Sequence, residues 1–156
     1  HQYNRDIKAV LIGANDQTKQ QYEDQAKELK VLDNIEIVKR VEHKKIYDYI
    51  SQSKVGVLSN KYDADGLLFT SPLKLYEYLG SGLKVVVSRL PSIESNVDQS
   101  LVYYATPESP YSFAKEILNA LDDDAFEINK VKEFSKNYTW ESRGKSFMEF
   151  ISWIFL

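Results

Sequence analysis

Glu77 lies six residues after Ser71 in the segment Ser71-Pro-Leu-Lys-Leu-Tyr-Glu-Tyr-Leu-Gly-Ser-Gly-Leu-Lys-Val-Val-Val-Ser88. The chemistry this spacing allows is recognition of a nucleotide. Pro72 suits a first helical position and Ser71 suits the N-cap. A helix start offers free backbone N–H groups and a positive dipole end, both suited to phosphate. Six residues at about 1.5 Å each span roughly 9 Å of helix axis. A nucleoside diphosphate seated on the helix start would therefore bring its ribose hydroxyls to Glu77. An ordinary capped helix carrying one acid has the same local pattern, and the segment alone does not separate the two readings.

Other site chemistries find less support. The chain has no cysteine and only two histidines, His1 and His43. This excludes disulfides, a thiolate zinc site and a cysteine nucleophile, and leaves little for a histidine metal cluster. Asp63 and Asp65 could hold a hard cation, but the ligand spacing of a calcium loop is missing, so a solvated loop fits better. Net charge is −3, with Lys and Arg scattered; a nucleic-acid groove needs a basic stripe. There is no 18-residue apolar run to span a membrane. No basic-then-apolar opening resembles a secretory signal. The absence of cysteine fits a cytoplasmic location. The chain opens on His1, which suggests an excised or processed piece.

The elements that must position Glu77 read as alternating strands and helices. Strands are expected at 7–13, 34–41, 54–59, 83–87 and 101–106. Helices are expected at 16–30, polar and amphipathic with Tyr22, Ala26 and Leu29 on one side; at 43–53, with Ile46, Tyr49 and Ile50 inward; and at 72–79, ended by Gly80 and Gly82. Further helices are expected at 91–96, 109–123, 126–137 and 139–156. With 156 residues, the chain suits a single α/β domain, a Rossmann-like doubly wound parallel sheet with helices on both faces. Such sheets bind ligands beyond the carboxyl ends of their strands, where loops 13–16, 41–44, 60–71 and 88–93 should meet.

Three stretches together resemble the C-terminal, donor-binding half of a family 4 glycosyltransferase of the two-domain GT-B architecture. They are 71–88 with Leu90-Pro-Ser-Ile-Glu94, then Asn137-Tyr-Thr-Trp-Glu-Ser-Arg143, and the order of elements from 7 to 59. The resemblance implies that Glu77 grips the ribose hydroxyls. It implies that the backbone of Thr70, Ser71, Pro72 and Leu73 faces the diphosphate, although Pro72 has no N–H to give. Gly13, Val41 and His43 would surround the nucleobase. The family often has a first glutamate eight residues before the second, touching the sugar. Here that position is Phe69, and either Asp63 or Asp65 replaces it or the sugar is held differently.

By this resemblance Ile7 to Gly13 looks like the second strand, and the chain would start after the family's opening strand and its basic loop, which supplies an Arg and a Lys to the diphosphate. That strand is central in such a sheet. Its loss would leave both neighbours with unpaired backbone groups, each costing about 1–3 kcal/mol if buried. Lys74 and Lys61 remain as phosphate contacts. The implied reaction is metal-independent transfer of a sugar from a nucleotide-sugar, with retention of configuration and no cofactor. The acceptor site and main catalytic groups would lie in the absent N-terminal half, so this chain alone would not catalyse transfer. The stripe Trp140, Phe147, Ile151 and Ile154, widened by Trp153, Phe155 and Leu156, would reach that half, pack on the domain's own sheet, or touch a membrane surface, at the inner face for a cytoplasmic enzyme. Alternatives are a non-catalytic binding module of the same architecture or a nucleotide-sugar epimerase. A receiver domain would need an acidic pair after the first strand and a phospho-acceptor Asp after the third, and neither is apparent in the chain. The abundance of Lys, Asn, Ile and Tyr points to an AT-rich bacterial genome.

Overall fold

A computed structural model describes residues 7–63 and 73–155. The chain divides into two compact units, His1–Tyr49 and Ile50–Leu156.

In the first unit, β1 (Ala9–Ala14), α1 (Asp16–Glu28) and β2 (Ile35–Lys39) form a strand–helix–strand turn. β1 and β2 are parallel, with Ala9 opposite Ile35 and Ile12 opposite Val38; the register then slips before Ala14. Gly13, at φ +106°, sits at the slip. That backbone conformation favours glycine, so the strand bulges at Gly13 and runs on to Ala14 instead of ending there. Asn15 caps α1: its Oδ1 accepts from the Thr18 N–H at 2.8 Å, and Thr18 Oγ1 accepts from the Asn15 N–H at 2.9 Å. Ala26 and Ile37 are buried, but Tyr22 and Leu29 are exposed. A two-stranded sheet is too narrow to cover the whole stripe expected on α1.

α2 (His43–Gln52) leads into the second unit, with Ile50 buried and Ile46 and Tyr49 partly buried. There β3 (Val55–Leu58), β4 (Lys84–Ser88) and β5 (Tyr103–Ala105) form a parallel sheet in that order. Leu58 pairs with Val87, and Ser88 with Ala105. Four helices cover or border the sheet: α3 (Leu73–Ser81), α4 (Pro91–Glu94), α5 (Pro110–Asp122) and α6 (Ile128–Lys136). Val85 and Val87 pack with Leu75 and Leu79 of α3, Ile93 of α4 and Val131 of α6. Val86, on the opposite face, packs with Ala105, Ala120, Phe113 and Ile117. β4 is thus covered on both faces, which is why its sequence is an unbroken valine run instead of an alternating one.

The fold is α/β, with parallel sheets flanked by helices. The ladder departs from the single sheet expected: among the described residues it divides into β1–β2 and β3–β4–β5. β1 and β3 each stand at the end of their own sheet. β5 is shorter than expected because Leu101 and Val102 are buried ahead of it without joining the ladder. The last helix, α7 (Trp140–Phe155), has no buried residue. Trp140, Phe147, Trp153 and Phe155 are 61–81% exposed, which rules out the expectation that this helix packs on the domain's own sheet. Among the described residues no helix is long and apolar enough to cross a membrane.

Candidate functional site at the carboxyl end of β3

The start of α3 flanks the carboxyl end of β3. Leu73 and Lys74 line an open depression of about 520 Å³ together with Val57, Leu58, Ser59 and Asn60. Two features of the sequence hold this rim in place. Ser88 ends the valine run and is completely buried, and its Oγ donates to the Asn60 carbonyl at 2.8 Å. A buried hydroxyl must find a partner, and here the partner fixes the loop leaving β3. Gly56 allows α3 to approach: a Cβ there would lie 2.4 Å from Cδ2 of Tyr78.

Helical spacing then sets the faces of α3. Leu75 and Leu79 are buried, whereas Lys74 is exposed and Glu77 half-buried. At roughly 100° per residue, Lys74 and Glu77 lie about 60° apart on the face opposite the leucines. Glu77 is about 6 Å along the axis from Leu73. Burial, then the charge of Glu77, pushes the Tyr78 phenol above its ordinary value. The helix therefore presents a cation at the depression and a carboxylate one turn deeper.

The next rim residue is Arg89. Its N–H donates to the Ala105 carbonyl at 2.8 Å, and its guanidinium pairs with Glu94 at 2.7 Å and lies 4.9 Å from the Tyr104 ring centroid. Tyr104 donates to the Val97 carbonyl at 2.7 Å. Burial, reinforced by Glu94, pushes its phenol up to about 12.

Among the other residues singled out from sequence, Lys61 and Asp63 are exposed after β3. Asp65, Phe69, Thr70, Ser71 and Pro72 lie outside the described residues. In the first unit, Gly13 forms the bulge and Val41 is partly buried. His43 opens α2, exposed and edge-on to Tyr47 at 5.6 Å. An ion pair between Asp16 and Lys39 joins the carboxyl ends of β1 and β2, and the Lys39 ammonium holds the Asp16 carboxyl below its usual range. Among the described residues no three His, Asp or Glu gather as a metal site would require. Sequence reading missed Ser88, Gly56 and a tyrosine pair, Tyr76 with Tyr138, whose rings stack at 4.4 Å. Ser88 carried a signal, a polar residue closing an apolar strand. The other contacts left none.

The fold has close counterparts among solved structures. Sucrose-phosphate synthase from Thermosynechococcus elongatus matches 94% of this chain and 38% of its own, with a TM-score of 0.77 and 18% identity. A glycosyltransferase from Rickettsia africae ESF-5 matches 94% of this chain and 39% of its own, with a TM-score of 0.77 and 12% identity. The chain thus spans about two fifths of the length of these structures. No curated protein sequence matches it. The family model described as "Glycosyl transferases group 1" matches residues 1–123 of the 156, and by that match the chain belongs to the group 1 glycosyl transferases.

Proposed function

We propose that this chain is the nucleotide-sugar-binding half of a retaining glycosyltransferase of the GT-B type. The observation that carries the reading is the outward face of α3, where Lys74 borders the depression at the end of β3 and Glu77 follows one turn later. A diphosphate over the helix start meets the Lys74 ammonium and the positive end of the helix dipole. The Glu77 carboxylate then accepts from the ribose hydroxyls, and hydrogen bonds to a charged acceptor are the stronger kind. Asp63 or Asp65 is assigned to the sugar. The transfer breaks the bond from the anomeric carbon to the diphosphate oxygen and joins that carbon to an acceptor hydroxyl oxygen, whose proton passes to the departing diphosphate. Lys74 and the helix start stabilise the charge that builds on the departing nucleoside diphosphate, a preorganised electrostatic effect. The acceptor is assigned to a second, N-terminal domain, so the chain by itself binds donor without transferring it.

The test is calorimetric titration with UDP, GDP and ADP. Binding of one of them, weakened about tenfold or more by Glu77→Ala as loss of a charged hydrogen-bond partner requires, supports the reading. Equal affinity in the variant refutes the role of Glu77.

A further inference from the structure

Tyr138 stands in the link between α6 and α7, far in sequence from α3, yet its ring lies parallel to that of Tyr76 at 4.4 Å and 18°. It is held there on two other sides. Phe134 of α6 tilts against it at 5.0 Å, and its hydroxyl reaches the Asn96 carbonyl at 3.4 Å. Tyr76 precedes Glu77. Successive side chains on a helix point about 100° apart, so whatever fixes the bearing of Tyr76 fixes that of Glu77. On the other side of Glu77 in sequence, Tyr78 closes over Gly56 of β3. The two tyrosines therefore grip α3 through different neighbours, one through the sheet and one through the link to the last helix. Leu75 and Leu79 anchor the helix to the core, but an apolar stripe tolerates a few degrees of roll. A ring stacked on one flank adds a directional contact, worth about 0.5–1.5 kcal/mol beyond the area it buries.

We propose that Tyr138 is a positioning residue for the nucleotide site: by stacking on Tyr76 it sets the rotation of α3 about its axis and so the direction of the Glu77 carboxylate. This role rests on the donor-site reading of α3. It also makes the segment that leads into α7 part of the binding machinery.

The test uses the full chain, with the nucleoside diphosphate it binds best among UDP, GDP and ADP, and inorganic pyrophosphate as a probe without ribose. Tyr138→Leu should weaken nucleoside diphosphate binding by up to about tenfold, the scale of one aromatic pair, and pyrophosphate binding by less, because Lys74 turns with α3 but its long, flexible side chain can follow the phosphate. Tyr138→Phe keeps the ring and should restore wild-type affinity. In a Glu77→Ala background Tyr138→Leu should have a smaller effect, no larger than its effect on pyrophosphate. Tyr76→Leu removes the same stack from the helix side and serves if Tyr138→Leu does not fold. Equal loss of both ligands, or an undiminished further loss in the Glu77→Ala background, would show that Tyr138 only supports the fold and would overturn the proposal. Unchanged nucleotide affinity in both leucine variants overturns it while sparing the donor site. Failure of the unaltered chain to bind any of the three nucleotides overturns the donor-site reading and this role together.

Discussion

Gly56→Ala should loosen α3 from the sheet. The new Cβ would lie 2.4 Å from Cδ2, 2.9 Å from Cε2 and 3.0 Å from Cγ of Tyr78. Carbon atoms rest about 3.5–4.0 Å apart, so the ring must move by about 1 Å. Rotation about its own axis does not help, because Cγ lies on that axis. Either the side chain leaves its rotamer or the helix lifts. Overpacking of this kind costs about 1–3 kcal/mol. The alanine also restricts the unfolded chain, which returns about 0.4–1 kcal/mol. The net loss is about 1–2 kcal/mol, or roughly 2–8 °C in Tm for a chain of this size. Thermal unfolding followed by circular dichroism measures it. In a Tyr78→Ala background the same substitution should become neutral or stabilising, since the obstacle is gone. A Tm for Gly56→Ala at or above wild type, or the same drop in both backgrounds, would refute the proposed close approach of α3 to β3.

Two further outcomes follow from buried polar groups in the same unit. Ser88→Ala removes the bond to the Asn60 carbonyl and should cost about 1–2 kcal/mol by urea denaturation; it should also loosen the loop after β3, seen as faster amide exchange there. Tyr104, whose phenol is pushed up to about 12, makes stability fall in alkali. Its proton is held more tightly folded than unfolded, so the contribution is complete below the ordinary phenol value of about 10 and is lost as pH rises towards 12. Urea midpoints at about pH 9 and about pH 11 should differ by less in Tyr104→Phe than in the parent chain, by an amount on the order of 1–2 kcal/mol.

Much of this was legible in the sequence for identifiable reasons. Leu75 and Leu79 are spaced one turn apart, Gly82 takes φ +79° where α3 must stop, and the valine run of β4 could only be a strand covered on both faces. The face shared by Lys74 and Glu77 follows from the same periodicity. What was not legible lies in contacts between remote segments. No local pattern tells that Tyr138 will meet Tyr76, or that Gly56 is small because a tyrosine ring needs its space and not because a turn needs its freedom. The stripe on α1 failed for a related reason: periodicity shows which residues face inward but not how wide a surface awaits them, and Leu29 is left 69% exposed. On α7 the apolar positions were read correctly, but their burial was not to be inferred from spacing.

The placement of α3 separates two kinds of work on one short helix. Leu75 and Leu79 are fully buried in the core, Tyr78 fits over Gly56 and Tyr76 stacks on Tyr138. Gly80 and Gly82 bring the end of the helix against Ser135 and Lys132 of α6. All of these contacts lie on the inward face or at the helix end. Lys74 and Glu77 lie on the opposite face, and neither belongs to the core that holds the helix. A substitution on the inward face must therefore act on affinity through the orientation of the helix, and its effect on melting will accompany its effect on binding. A substitution at Lys74, which is exposed, acts on the ligand directly and leaves melting of the free chain nearly unchanged. If Lys74→Ala destabilised the free chain as much as Gly56→Ala does, Lys74 would be part of the packing, and the argument that assigns it to a diphosphate would lose its physical basis.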